Sequence, residues 1–146
     1  MRYLLGVDGG GTGCRVAIAD MHGAVLAECR GGAANIATNY TQARANIIAA
    51  CAEAVAAAGL PEGALGQCHA VLGLAGSNLG DYAARLGADL PFAANEIVND
   101  SIITLEGAIG GVEGCIAAIG TGSRGWARIS CTSPCWPMTV CAPIAR

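Results

Sequence analysis

The sequence predicts an α/β domain built on a mixed sheet, in which an antiparallel meander precedes parallel strands with flanking helices. At the N-terminus, three strand-like segments follow one another with only turn residues between them, which is typical of a meander. Helix-like and strand-like segments then alternate, which favours right-handed parallel connections. Ligands of such sheets bind at the carboxyl ends of the strands. We therefore expect functional residues in the loops at that edge.

The predicted meander begins with an apolar run that ends in Asp8 and three glycines, as a buried strand entering a tight loop would. The second strand alternates, with Val16 and Ile18 on one face and Arg15 on the other. The strands and the turn between the last two are Tyr3 to Val7, Cys14 to Asp20, Met21 to Gly23 and Ala24 to Arg30.

The later elements alternate between helix and strand. Thr41 is expected to cap the first helix, and Gly59 and Pro61 to end it. The elements are a helix from Thr41 to about Ala58, a strand from Ala70 to Leu74, a helix from Asp81 to about Leu90, a strand at Ile97 and Val98, a helix from Ser101 to Ile109 and a strand from Cys115 to Ile119.

The composition is that of a packed domain without a strong charge. Of 146 residues, 53% are hydrophobic and 13% charged, and the net charge is -3. These values exclude a disordered chain and the basic surface that binds nucleic acid. No apolar stretch is long enough for a membrane span, and the N-terminal run is too short for a signal peptide. We expect a cytoplasmic protein whose eight cysteines are reduced.

The segment from Arg124 to Arg146 differs from the rest. It holds both tryptophans and three of the five prolines, and it has no acidic residue. The prolines oppose a sustained helix or central strand. We therefore expect residues 1–123 to form the domain and residues 124–146 to be an atypical tail, produced by a frameshift or a truncation.

The first candidate site is Asp8-Gly9-Gly10-Gly11-Thr12-Gly13, which leaves one strand and enters another. The dinucleotide fingerprint and the Walker loop enter a helix instead. Glycines let backbone amides approach phosphate oxygens, and Thr12 adds a hydroxyl donor. Asp8 beside a phosphate requires a cation such as Mg²⁺ between them. On spacing alone, a glycine-rich hairpin turn is the alternative.

Two further segments carry candidate chemistry. Gly120-Thr121-Gly122-Ser123 is a second loop of small donors after a strand, able to close on the same phosphates from another side. Asp100 follows a strand and precedes a helix, so that it can be an N-cap. It can equally be the general base that accepts the proton of a hydroxyl attacking a γ-phosphate. One residue can fill both roles.

Together these segments resemble the motifs of the actin/hexokinase-like ATPases. More narrowly, the chain is similar to the BadF/BadG/BcrA/BcrD ATPase family and, within it, to N-acetylglucosamine and glucosamine kinases, over Met1 to about Ser123. The matching segments are Gly6 to Thr12 for the first phosphate motif, Val98 to Asp100 for the catalytic aspartate, Ile119 to Ser123 for the second phosphate motif, and also Ala33 to Asn35 and Leu72 to Gly76.

The resemblance implies a ribonuclease H-like, actin-like ATPase domain with a five-stranded sheet. It implies ATP and Mg²⁺ as cofactors and phosphorylation of an amino sugar, N-acetylglucosamine or glucosamine, at its 6-hydroxyl. By position, Asp100 deprotonates that hydroxyl and Asn35 contacts the sugar, where a turn asparagine is the alternative. The resemblance also implies that full-length members can be homodimers. By position, Asp8 holds the metal directly or through water, and Thr121 and Gly122 lie beside the sugar. The residues that the resemblance places against the nucleotide are Asp8, Gly9, Gly10, Gly11, Thr12, Gly120, Thr121, Gly122 and Ser123.

The family's later signatures are not found in this sequence. Gly125-Trp126 resembles only the start of a glycine-tryptophan-glycine segment. Because the lobe carrying these signatures closes over the nucleotide, we expect the chain alone to lack useful kinase activity. Two alternatives remain: a BadF-type ATPase that activates a dehydratase through an iron-sulfur cluster held by thiolates, and a non-catalytic fragment. Scattered cysteines favour buried thiols over a cluster.

Overall fold

The computed structural model describes residues 2–110 and the short strands at 129–130 and 139–140. It divides into two units, Met1–Asp100 and Ser101–Arg146. In chain order the first unit contains β1 (Tyr3–Gly9), β2 (Cys14–Asp20), β3 (Val25–Gly31), α1 (Tyr40–Ala57), a 3-10 helix (Glu62–Gln67), β4 (Cys68–Leu74), α2 (Tyr82–Asp89) and β5 (Ala94–Asn99).

The first unit is organised around one five-stranded sheet with the strand order β3-β2-β1-β4-β5. The pairs β1–β2 and β2–β3 are antiparallel, whereas β1–β4 and β4–β5 are parallel. The predicted mixed sheet is therefore confirmed. Gly9 pairs with Leu74, and Leu74 pairs with Asn99. The carboxyl ends of β1, β4 and β5 consequently lie in one row at the same edge.

The core lies between one face of the sheet and the helices. Val16 and Ile18 of β2 are buried there, as their alternation predicts. Helix α1 contributes several alanines, which allow it to lie close to β3: a Cβ on Gly31 would come 2.8 Å from the Cβ of Ala50. The buried side chains of α1 are Ala43, Ile47, Ala50, Cys51, Ala54 and Val55.

Three cysteines belong to this core. Cys14, Cys51 and Cys68 are buried free thiols, which confirms the expected state of these three. Burial raises the pKa of each thiol, and that of Cys51 reaches about 12. A thiol with so high a pKa stays protonated at neutral pH and behaves as a small apolar side chain. Cys29 is half-buried.

The prediction that Thr41 caps α1 is wrong. The N-cap is Asn39, whose backbone is extended and whose Oδ1 accepts a hydrogen bond of 3.1 Å from the backbone N–H of Gln42. Both residue types cap helices, but only Asn39 stands where the chain changes from extended to helical conformation. At the other end, Gly59 has a φ of +67°, the left-handed conformation that ends many helices. Its predicted role is confirmed.

Helix α3 (Asp100–Ile109) begins at the last residue of the first unit and continues in the second. Later in the second unit, β6 (Ile129–Ser130) and β7 (Thr139–Val140) pair antiparallel. The predicted strand from Cys115 to Ile119 lies outside the described residues. Within the described ranges, none of the helices combines the length and the apolar character that crossing a membrane requires.

Candidate active site

Both predicted acids lie at the carboxyl edge of the parallel strands. Asp8 is the penultimate residue of β1, and Asp100 follows β5 directly. Only β4 separates the two strands. Since neighbouring strands are about 4.8 Å apart, the ends of β1 and β5 are separated by about 10 Å. Thr121 and the rest of the second predicted phosphate loop, residues 120–123, lie outside the described part of the chain.

The loop from Gly10 to Gly13 is an open hairpin connection. Its ends are joined by a 2.9 Å hydrogen bond from the Gly10 N–H to the Gly13 carbonyl oxygen. Gly11 and Thr12 are exposed, and no atom of the described residues lies within 4 Å of the position that a Cβ on Gly11 would take. The hairpin turn and the proposed phosphate loop are thus the same structure. A ligand can approach this backbone without displacing a side chain.

Asp8 forms an ion pair with Arg15, a residue that the sequence reasoning did not select for the site. The two residues face each other on β1 and β2, and two guanidinium nitrogens of Arg15 donate to Asp8 Oδ2, with Nε at 3.1 Å. The Arg15 side chain is 69% exposed and that of Asp8 35%. The signal that could have revealed Arg15 is its place on the polar face of β2, across the hairpin from Asp8.

The charges and the open backbone at this edge fit a magnesium-bound phosphate. A hydrated divalent cation needs an accessible carboxylate, which Asp8 supplies. Phosphate oxygens need donors, and the Arg15 guanidinium is exposed beside the loop. Because the Asp8–Arg15 pair is largely exposed, its net worth is about 0–1 kcal/mol, so that separating it for a ligand costs little.

Backbone hydrogen bonds join three loops at this edge. The N–H of Ala34 donates to the Gly10 carbonyl at 2.9 Å, which attaches the loop between β3 and α1 to the glycine loop. The N–H of Ala75 donates to the Gly9 carbonyl at 2.8 Å, and the N–H of Ile36 donates to the Ala75 carbonyl at 3.2 Å. The residues of all three loops are therefore held at fixed positions relative to the end of β1.

Gly9 has a packing role that its place in the phosphate motif does not reveal. A Cβ at this position would come 2.6 Å from Leu74 Cδ2 and 2.9 Å from the Cβ of Ala34. Real Cβ contacts are not that short, so that only glycine lets the three loops meet at the end of β1. Its neighbours Gly10 and Gly11 have no such contacts.

Asn35, the predicted sugar contact, is half-buried in the loop between β3 and α1. Its Oδ1 accepts hydrogen bonds from the backbone N–H groups of Ala37 at 3.0 Å and Thr38 at 3.1 Å. The alternative interpretation, a turn asparagine, is therefore observed. The turn uses only the Oδ1 atom of Asn35, and the two N–H donors of Nδ2 can still bind a ligand. A structural role and a binding role of Asn35 are therefore compatible.

Asp100 is the first residue of α3 rather than a residue outside it. A carboxylate in the first helical turn is favoured by the partial positive charge of the helix N-terminus. The neighbouring strand end is tied to the β4–α2 loop, because Ser77 Oγ donates a 3.1 Å hydrogen bond to the Val98 carbonyl. The loop after β4 thus bridges the ends of β1 and β5, the strands that carry the two acids.

No family model matches the sequence, but individual proteins are similar to it. The glucosamine kinase GspK of Vibrio cholerae is 34% identical over 126 residues, which are 86% of this chain and 43% of that protein. A crystal structure from Chromobacterium violaceum, described as an N-acetylglucosamine kinase, is 34% identical with a TM-score of 0.79, covering 89% of this chain and 45% of that one. The chain spans less than half the length of either relative. Its fold is that of an actin-like ATPase domain, shared with proteins named as amino-sugar kinases.

Proposed function

We propose that this chain is the nucleotide-gripping half of a kinase that transfers a phosphoryl group from Mg-ATP to the 6-hydroxyl of glucosamine or N-acetylglucosamine. The observation that carries the proposal is the placement of Asp8, an open glycine loop and Asp100 at one edge of the sheet. The similarity to a glucosamine kinase and to a protein described as an N-acetylglucosamine kinase supports the same substrate class.

In this proposal, residues at the end of β1 bind the phosphates and the metal, and a residue at the end of β5 acts as the base. At β1, the backbone N–H of Gly11 and the hydroxyl of Thr12 donate to phosphate oxygens, while the N–H of Gly10 stays bonded to the Gly13 carbonyl and Gly10 lines the same loop. Asp8 would hold the metal directly or through water. Arg15 adds a cationic donor on the same side. A Mg²⁺ ion held by Asp8 would supply positive charge that offsets the charge of the phosphate oxygens.

At the end of β5, Asp100 accepts the proton of the attacking hydroxyl. Asn35 donates to the sugar from the adjacent loop. The separation of about 10 Å between the ends of β1 and β5 leaves room for a phosphoryl group between metal and base. Thr121 and Gly122 would contact sugar and phosphate, and the segment Gly120 to Ser123 would grip the nucleotide from the other side.

We place the chain in the BadF/BadG/BcrA/BcrD ATPase family on its motifs, with a cytoplasmic location and, for the complete protein, a homodimer as the family implies. A dehydratase activator of that family needs thiolates that bind a cluster. The burial of Cys14, Cys51 and Cys68 and the raised pKa of each argue against these three cysteines as cluster ligands.

Calorimetric titration with Mg-ATP tests the nucleotide site. We expect the chain to bind Mg-ATP, and Asp8→Asn to weaken binding at least tenfold, which corresponds to about 1.4 kcal/mol. The matched control is Glu28→Gln, which removes the same charge from exposed β3, and its affinity should equal that of the unmodified chain. Absence of binding, or equal loss in both variants, would refute the nucleotide site.

A coupled assay with ATP and either glucosamine or N-acetylglucosamine tests the incompleteness of the chain. We expect no useful turnover from these residues alone, because they span less than half the length of the kinases they resemble and phosphoryl transfer depends on closure around the nucleotide. Turnover comparable with that of ordinary kinases would show that the 146 residues suffice for catalysis. It would contradict the expectation of a half enzyme but not the substrate class.

A further inference from the structure

The carboxamide of Asn35 has only one possible orientation in its loop. Two backbone N–H groups, those of Ala37 and Thr38, point at it from 3.0 and 3.1 Å, and only a carbonyl oxygen can accept from them. The oxygen therefore faces its own loop, and both of its lone pairs are used. What Asn35 can offer to a ligand is the pair of N–H donors on Nδ2.

Gly76, in the loop after β4, lies against this oxygen. A Cβ on Gly76 would come 2.9 Å from Asn35 Oδ1, 2.7 Å from the Cβ of Ala37 and 3.0 Å from the Ala37 nitrogen. All three atoms belong to the Asn35 turn. The two loops are also joined by the hydrogen bond from the Ile36 N–H to the Ala75 carbonyl, so they are held together at the residue that precedes Gly76. No residue larger than glycine fits without moving the turn.

We infer that Gly76 is a positioning residue that clamps the Asn35 carboxamide with its oxygen inward, so that the sugar subsite at Asn35 presents only N–H donors and takes an acceptor oxygen of the substrate. This inference rests on the proposed function for its substrate. A hydroxyl oxygen or an acetamide carbonyl satisfies such a subsite, whereas a protonated amine, which has no lone pair, is repelled by it. The clamp itself depends only on the packing of the two loops.

The chain offers a matched control for the backbone of Gly76. Gly76 and Gly23 have the same φ of +85°, which alanine adopts only with strain. Around Gly23, however, the part of the chain that the structure describes places no atom within 4 Å of the Cβ position. Gly23→Ala therefore introduces the φ strain alone, whereas Gly76→Ala introduces the same strain together with the collision with the Asn35 turn. The difference between the two variants isolates the clamp.

Hydrogen exchange of the full ¹⁵N-labelled chain, followed by NMR, tests the clamp without any ligand. The amides of Ala37 and Thr38 donate to Asn35 Oδ1, so that Asn35→Ala defines their exchange when this acceptor is lost. We expect Gly76→Ala to accelerate exchange of both amides at least tenfold, close to the Asn35→Ala rates, and Gly23→Ala to leave them unchanged. Unaltered exchange of both amides in Gly76→Ala would overturn the clamp.

Titration with glucosamine and N-acetylglucosamine, in the presence of Mg²⁺ and a non-hydrolysable ATP analogue, tests the polarity of the subsite. Asn35→Asp keeps an oxygen for Ala37 and Thr38 but has no N–H donor. We expect unchanged exchange in this variant and at least a tenfold loss of affinity for the sugar that the unmodified chain binds. Full affinity in Asn35→Asp would overturn the donor-only subsite. Failure of the unmodified chain to bind either sugar would instead overturn the proposed function, whatever the exchange rates show.

Discussion

The glycine loop after β1 and the corner formed by Asn35 and Gly76 lie at the same edge of the sheet, yet they are built in opposite ways. Around Gly11 there is open space, and the surrounding backbone is exposed. At Gly76 there is no space even for a methyl group. Glycine in the first place leaves room for a ligand, and in the second it lets two backbones touch. The comparison teaches that a glycine in a loop at a strand end can serve either ligand access or backbone packing, and that the sequence alone does not distinguish the two.

The largest effect is expected in a comparison of Gly9, at the end of β1, with Gly11, in the loop that follows. Gly9→Ala forces a Cβ to within 2.9 Å of Ala34 and closer to Leu74, and such overpacking typically costs about 1–3 kcal/mol. Gly11→Ala meets nothing and should change the free energy of unfolding by less than about 0.5 kcal/mol. Urea unfolding of both variants measures the difference. Equal stabilities would show that the end of β1 is not closely packed.

A smaller effect is expected where the packed corner leads into α1. Asn39→Ala removes the oxygen that accepts from the Gln42 N–H and should lower the free energy of unfolding by about 1 kcal/mol. Thr41→Ala alters the residue that the sequence pattern selects as the cap, but which lies inside the helix, and should leave stability nearly unchanged. Thermal unfolding monitored by circular dichroism distinguishes the two. A larger loss in Thr41→Ala would reverse the assignment.

The smallest effect on stability is expected at the open side. Arg15→Gln removes an exposed ion pair, so that the free energy of unfolding should fall by less than about 1 kcal/mol, and less at high salt. The same variant should weaken Mg-ATP binding several-fold, because a cationic donor beside the phosphates is lost. Urea unfolding at two salt concentrations and calorimetry provide the two measurements. A large loss of stability with unchanged nucleotide affinity would make Arg15 a structural residue.

The sequence predicted the sheet more completely than it predicted the candidate site. Alternation in β2 and the glycines at Gly23 and Gly59 placed strands, turn and helix end, because these patterns depend on local backbone chemistry. The bounds of β2 were predicted correctly, whereas three strands were predicted too short: β1 ends at Gly9, β4 begins at Cys68, and β5 begins at Ala94 rather than Ile97. The cap was misplaced because Asn39 and Thr41 are chemically equivalent candidates until the backbone angles are known.

For the site, the sequence predicted that Asp8 and Asp100 lie at the same edge of the sheet, because each stands at the carboxyl end of a predicted strand. It missed Arg15, whose importance comes from strand register, and Gly76, whose importance comes from a contact with residues far away in the chain. Register and long-range contacts are set by the assembled sheet: the alternation of β2 puts Arg15 on the polar face, but its pairing with Asp8 and the contact of Gly76 with the Asn35 turn appear only in the folded chain. The roles of Asn35, Asp100 and Thr121 in binding and catalysis stay predictions.

The sheet order has a consequence for the kinetics of folding. β1, β2 and β3 pair with neighbours in the chain, whereas β1 must also pair with β4, so that Tyr3 meets Cys68 across more than sixty residues. Closing that long loop lowers the conformational entropy of the chain before the contacts between β1 and β4 stabilise it. Pairing of strands that are distant in the sequence is therefore slow. The hairpins can therefore form early, while the edge that gathers Asp8 and Asp100 is completed late. In a nascent chain we therefore expect the meander to form before this edge of the sheet is complete.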